Sequence, residues 1–84
     1  MAKYLLTYDL IAPGRNYQTL WSELGRFSAT RVLLSTWVFR RLNTTCVGLR
    51  EHFKRFVDGN DRLLIIDISD ENWASWNVRD MTRL

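Results

Sequence analysis

Apolar and polar positions alternate from Lys3 to Leu10, with Tyr4, Leu6, Tyr8 and Leu10 on one side of an extended chain and Leu5, Thr7 and Asp9 on the other. A period of two predicts a strand, and since both sides are largely apolar it belongs in the middle of a sheet. Ile11-Ala12-Pro13-Gly14-Arg15 interrupts the pattern and Asn16 is suited to cap a helix. Tyr17, Leu20, Trp21, Leu24 and Phe27 then recur at helical spacing. They line one apolar stripe over residues 16–27, with Gly25 weakening the last turn. The stretch Thr30 to Arg41 is rich in β-branched and aromatic residues and outruns a usual strand of about five or six residues. It is therefore expected to form two strands about a bend at Ser35-Thr36. A second helix follows Thr44 or Thr45 and buries Cys46, Leu49, Phe53, Phe56 and Val57. It stops at Asp58-Gly59-Asn60, whose Gly suits the left-handed position, while Glu51 and Arg55 are spaced to pair on its outer side. Arg62 to Ile68 reads as a last strand, apolar on both sides.

The order β-α-β-β-α-β predicts an α+β, ferredoxin-like sandwich: a four-stranded antiparallel sheet with two helices on one face and the first and third strands central. Residues 1–70 make up this domain. Residues 71–84 form a tail that packs on the domain or on a partner protomer, and Trp73 and Trp76 are expected to clamp it over the sheet or helix edge. The helix-free face carries Leu5 and Thr7, with Asp9 at its end, and needs a cover: a second copy, the tail or nucleic-acid bases.

Composition narrows the function classes. With 84 residues there is room for one core. A single Cys46 and a single His52 exclude an internal disulfide and a thiolate-imidazole zinc cage. No apolar run reaches the roughly 20 residues of a membrane helix, and Met1-Ala2-Lys3 leads straight into a strand without a signal-peptide pattern; no membrane role and a cytoplasmic location are expected. The net charge is +3, carried by two lysines and ten arginines. Arginine is the cation suited to bidentate phosphate contacts, and the excess lies in residues 1–42, so an anionic partner is indicated. Arg15, Arg40, Arg41, Arg50 and Lys54 are candidate phosphate rims. Asp67 falls at the far end of the sheet from Asp9. Asp61 falls at the near end but reads as a turn-capping residue, His52 as a boundary residue and Cys46 as a small core hydrophobe.

Three features coincide: Tyr8-Asp9 closing the first strand, the segment Arg31-Val32-Leu33-Leu34-Ser35-Thr36-Trp37-Val38-Phe39, and the β-α-β-β-α-β order. In these, over residues 3–68, the chain resembles the CRISPR-associated endoribonuclease-like family, the small ferredoxin-like subunit of the spacer-acquisition complex. It is also similar to stand-alone SinR-family relatives and, more distantly, to the virulence-associated D ribonucleases. The resemblance implies a homodimer with facing sheets, in which Asp9 and its mate meet across the two-fold axis. Active members are metal-dependent nucleases, so the implied cofactor is Mg²⁺ or Mn²⁺, with Asp9 as the catalytic and metal-binding residue. One carboxylate makes a poor Mg²⁺ site, whereas a symmetry-related pair supplies two oxygen ligands. On this reading Arg31 neutralises phosphate and Ser35 hydrogen-bonds it or holds the metal's shell. The full nucleic-acid-binding set is Arg15, Arg31, Ser35, Arg40 and Arg41, and the substrate is RNA or DNA. The chain departs from the family at residues 71–84, which do not read as the fifth strand that members add to a partner's sheet, and which offer a site for a protein partner. The competing expectation is a non-catalytic nucleic-acid-binding or scaffold dimer of the same fold. An RNA-recognition domain stacking bases on Trp37 and Phe39 ranks last, since the glycine-aromatic signature is absent there.

Overall fold

The computed structural model describes residues 1–11 and 17–78. The strands are β1 (Ala2–Asp9), β2 (Thr30–Leu33), β3 (Thr36–Arg41) and β4 (Arg62–Asp67); the helices are α1 (Gln18–Arg26) and α2 (Cys46–Phe53), the latter running into a 3-10 turn at Lys54–Phe56. All strand pairs are antiparallel, in the order β2-β3-β1-β4. β1 is central: Leu6 lies opposite Trp37 on β3 and opposite Ile65 on β4. The architecture is α+β, a four-stranded antiparallel sheet with two helices, compatible with a ferredoxin-like arrangement. Among the described residues no helix is long and apolar enough to cross a membrane.

The bend expected at Ser35-Thr36 separates β2 from β3, and a bulge between Arg31 and Leu33 shifts their register. Such an irregularity bends the strand and strengthens its twist. Asn16 lies outside the described residues; α1 starts after Tyr17, whose side chain makes no capping bond. α2 is capped by Thr45, whose side-chain oxygen accepts from the Gly48 amide at 3.0 Å. Gly59 does not adopt the left-handed conformation expected of it. The chain instead leaves the 3-10 turn through an extended Val57, and the Asp61 amide closes the next turn onto the Asp58 carbonyl. Left-handed residues occur at Ser28, just after α1, and at Asn43, just before α2. Glu51 pairs with Arg50 at 2.9 Å and Lys54 at 3.4 Å, while Arg55 turns to His52, so the expected Glu51–Arg55 pair does not form.

Alternation along β1 sends Tyr4, Leu6 and Tyr8 into one core with Leu20, Leu24 and Phe27 of α1, Phe39 of β3, and Leu49 and Phe53 of α2. Both helices therefore share one face. Phe27, Phe39 and Phe53 meet with ring centroids 5.0 to 6.2 Å apart, the offset and edge-on contacts that aromatic rings prefer. On the other face, the chain after β4 is tied back to β1: the Lys3 amide donates to Ser69 Oγ at 2.9 Å and the Ile68 amide to the Lys3 carbonyl at 2.8 Å. Lys3 is 0% exposed, and its ammonium pairs with Glu71 at 3.1 Å beside the Trp73 ring. Arg40 reaches the same carboxylate at 3.5 Å. Trp73, Ala74 and Val78 then border a small cavity with Leu5, Val32 and Thr36. The tail thus lies over β1, β3 and β2. Among the described residues none covers this face of β4, although its sequence reads as apolar on both sides: Leu64 is 55% and Ile66 43% exposed.

Candidate nucleic-acid interface

Antiparallel pairing divides the predicted site residues between two ends of the sheet. Asp9 and Ser35 lie at one end, where the β2–β3 turn meets the end of β1. Arg40 and Arg41 lie at the other, opposite Lys3 and Ala2. Six residues of strand separate them, roughly 20 Å. Arg15 lies outside the described residues.

At the first end, Asp9 is exposed and sits 3.9 Å from Arg62, its paired residue on β4. Thr7, Asp9, Arg62 and Leu64 border a shallow depression of about 200 Å³. Ser35 acts through its backbone: its carbonyl accepts from the Tyr8 amide at 3.1 Å and from Thr7 Oγ1 at 3.0 Å, which docks the turn onto β1. Arg31 projects to the opposite, helix-covered side. Its Nε donates to the Leu34 carbonyl at 2.9 Å and its guanidinium lies 5.3 and 5.5 Å from the Trp37 and Trp21 ring centroids. These indoles donate to one oxygen, the buried Tyr8 hydroxyl, at 3.0 and 3.1 Å. Arg31 and Ser35 therefore do not converge on Asp9.

Asp61, also at this end, is structural. Its carboxylate accepts from the Ile11 and Asp58 amides at 2.8 and 2.7 Å and from the Tyr17 hydroxyl at 2.9 Å. Among the described residues no three His, Cys, Asp or Glu side chains group in a way that could hold a metal ion. Among the described residues the donors around Asp9 do not fit a divalent-cation centre, because they amount to one carboxylate that already has a guanidinium beside it.

The second end is richer. Two adjoining cavities, of about 540 and 450 Å³, share Phe27, Arg41 and Leu42. Arg41 stacks on Phe27, its guanidinium carbon 3.9 Å from the ring centroid. Across the smaller cavity the buried Glu23 is held by His52 Nε2 at 2.6 Å and by Arg26 at 3.2 Å. His52 Nδ1 lies 3.0 Å from an Arg55 nitrogen. A guanidinium can only donate, so Nδ1 accepts, and the ring proton sits on Nε2 and is donated to Glu23. A buried carboxylate needs such partners, since an unpaired one is costly. The dyad thus joins α1 to α2 beneath the cavity.

Glu23, Arg26 and the joining role of His52 escape a reading that scores apolar spacing alone. The signal is nonetheless in the sequence: Glu23 interrupts the stripe between Leu20, Leu24 and Phe27, where a polar residue must find a partner on the facing helix. The chain matches no family model and no solved structure.

Proposed function

We propose that this chain is a homodimeric nucleic-acid-binding protein on a ferredoxin-like frame, of the kind to which the CRISPR-associated endoribonuclease-like family belongs. The observation that carries the reading is the basic end of the sheet, where Arg26 and Arg41 border adjoining cavities that have exposed Met1 and Leu42 among their walls. Guanidinium groups beside exposed apolar surface suit a polymer of phosphates and flat bases. The dimer is supported by the bare strip of Leu64 and Ile66, which a second copy would cover.

The catalytic form of this reading, a divalent-metal-dependent nuclease, is favoured by one placement: Asp9 is exposed beside Leu64, at the border of the strip that the second copy would meet. A mate's Asp9 would supply the second carboxylate that one protomer lacks.

The test measures solution mass, binding of labelled single-stranded RNA, single-stranded DNA and duplex DNA at two salt concentrations, and cleavage with Mg²⁺, with Mn²⁺ and with chelator. Wild type and Asp9→Asn are compared. A dimer whose binding weakens with salt and is unchanged in Asp9→Asn is the expected result. Metal-dependent cutting lost in Asp9→Asn adds the nuclease. A monomer that binds none of the three probes overturns the proposal.

A further inference from the structure

We propose that the cavity between the tail and the open face of the sheet holds one unpaired base of a nucleic-acid strand, stacked on Trp76. This rests on the nucleic-acid reading above and names the form of substrate it selects, a single strand over a duplex.

Beyond Ser69 the chain crosses the sheet without closing on it. Between the two lies a cavity of about 300 Å³, with Leu5, Val32 and Thr36 on the sheet side and Trp73, Ser75 and Trp76 on the tail side. Among the described residues no charged side chain lines it. The volume stands at the lower end of the roughly 300 to 1,000 Å³ of small-molecule sites, which suits one flat ring system.

The two indoles on the tail side differ. Trp73 gives its N–H to Glu71 at 2.7 Å and has the Lys3 ammonium 5.4 Å from its ring centroid, so what it offers the cavity is carbon surface. Trp76 is mostly exposed. Folding normally buries most of so large an apolar ring, and here the ring borders an apolar cavity while standing in water. Every nucleobase has a π-face that stacks on an aromatic side chain, and Ser75 adds a hydroxyl for its polar edge.

The cavity adjoins the basic end. Leu5 on its floor is two residues along β1 from Lys3, roughly 7 Å, and Lys3 lies opposite Arg40 with Arg41 next to it. A strand whose phosphates meet the arginines can therefore place a base under the tail. In a duplex each base is stacked and paired, and extracting it forfeits both interactions. A site that takes the whole ring thus favours a single strand.

Anisotropy titrations of the full chain with three labelled probes test the site: a dodecadeoxyadenylate strand, its duplex with the complementary strand, and an abasic strand of the same length. Wild type, Trp76→Ala and Trp76→Phe are compared, and because the side chain is mostly exposed both variants are expected to melt with wild type. Trp76→Ala is expected to weaken the base-bearing strand about tenfold and to leave the abasic strand unchanged; Trp76→Phe keeps a ring and should weaken it by a smaller factor. Should Trp76→Ala unfold, tryptophan emission decides, since the base-bearing strand is expected to quench wild type more than Trp76→Phe. Binding of that strand unchanged in folded Trp76→Ala overturns the site and leaves the nucleic-acid reading standing. So does an equal loss for the abasic strand, or a duplex that binds as tightly as the single strand. A fall from dimer to monomer in Trp76→Ala assigns the cavity to a contact between copies and also overturns the base site. If no probe binds, both fall.

Discussion

On the helix side of the sheet Leu6, Leu20, Leu24 and Phe53 retain no exposed surface. The other side is covered over β1 and β3 by the chain after β4 and left open over β4, where Leu64 and Ile66 meet solvent. The same alternating strands supply both faces, so the difference lies in what covers them. Two helices interlock with the sheet through rings and branched side chains, a cover spread over many contacts. The described polar contacts of the tail with the sheet beyond Ser69 centre on one carboxylate, that of Glu71, which meets Lys3, Arg40 and the Trp73 indole. A cover of many small contacts yields in proportion to what is removed, whereas a cover hung on one group is released when that group is lost.

Phe53→Ala is expected to have the largest effect on this contrast, a loss of about 3–5 kcal/mol through cavity formation, read by denaturant unfolding; a loss under about 1 kcal/mol would show that the helix side is not the dominant core. Glu71→Ala comes next. It should leave the helix-side core folded while Trp73 moves toward water, seen as red-shifted emission and faster proteolysis after Ser69. Unchanged emission and cleavage would show that the tail is held elsewhere.

Acid should act in the same way. The Trp73 indole first, and then Lys3, hold the Glu71 carboxyl below its ordinary range. A carboxylate lowered in the folded state stabilises above its unfolded value and loses that contribution as pH falls through the folded one. The tail transition is therefore expected on the acid side of the usual glutamate range, and to vanish in Glu71→Ala. Leu64→Ser should have the smallest effect on stability, within about 0.5 kcal/mol for an exposed site. Its solution mass should nevertheless fall to that of a monomer if a second copy covers the strip. An unchanged dimer would place the contact elsewhere.

The elements were legible because each carried a local signature: period two in Tyr4 to Tyr8, helical spacing from Tyr17 to Phe27, and the short polar bend at Ser35-Thr36. The site residues were less so. Arg31, Ser35, Arg40 and Arg41 are neighbours in sequence, but the turn with Ser35 lies before one end of β3 and the last two arginines lie at the other, so proximity along the chain became separation in space. β4 reads as buried on both sides, yet Leu64 and Ile66 are exposed, because which strands the described part of the tail crosses is not encoded in hydropathy. The Glu23–His52 bond links residues 29 positions apart. Only the crossing of two helices makes it.

The tryptophans divide along the same boundary. Trp21 and Trp37 donate to the Tyr8 hydroxyl on the helix side, while Trp73 is tied to Glu71 and the neighbouring Trp76 is 85% exposed. Light absorbed by the chain is thus emitted from two pairs of indoles, one fixed against a phenol oxygen beside a guanidinium and one at or near the water interface. Replacing Trp73 and Trp76 by phenylalanine would leave a signal that reports only the helix-covered core. Replacing Trp21 and Trp37 would leave one that reports only the strap across the other face, so the two covers can be timed independently in a single unfolding experiment without any added label.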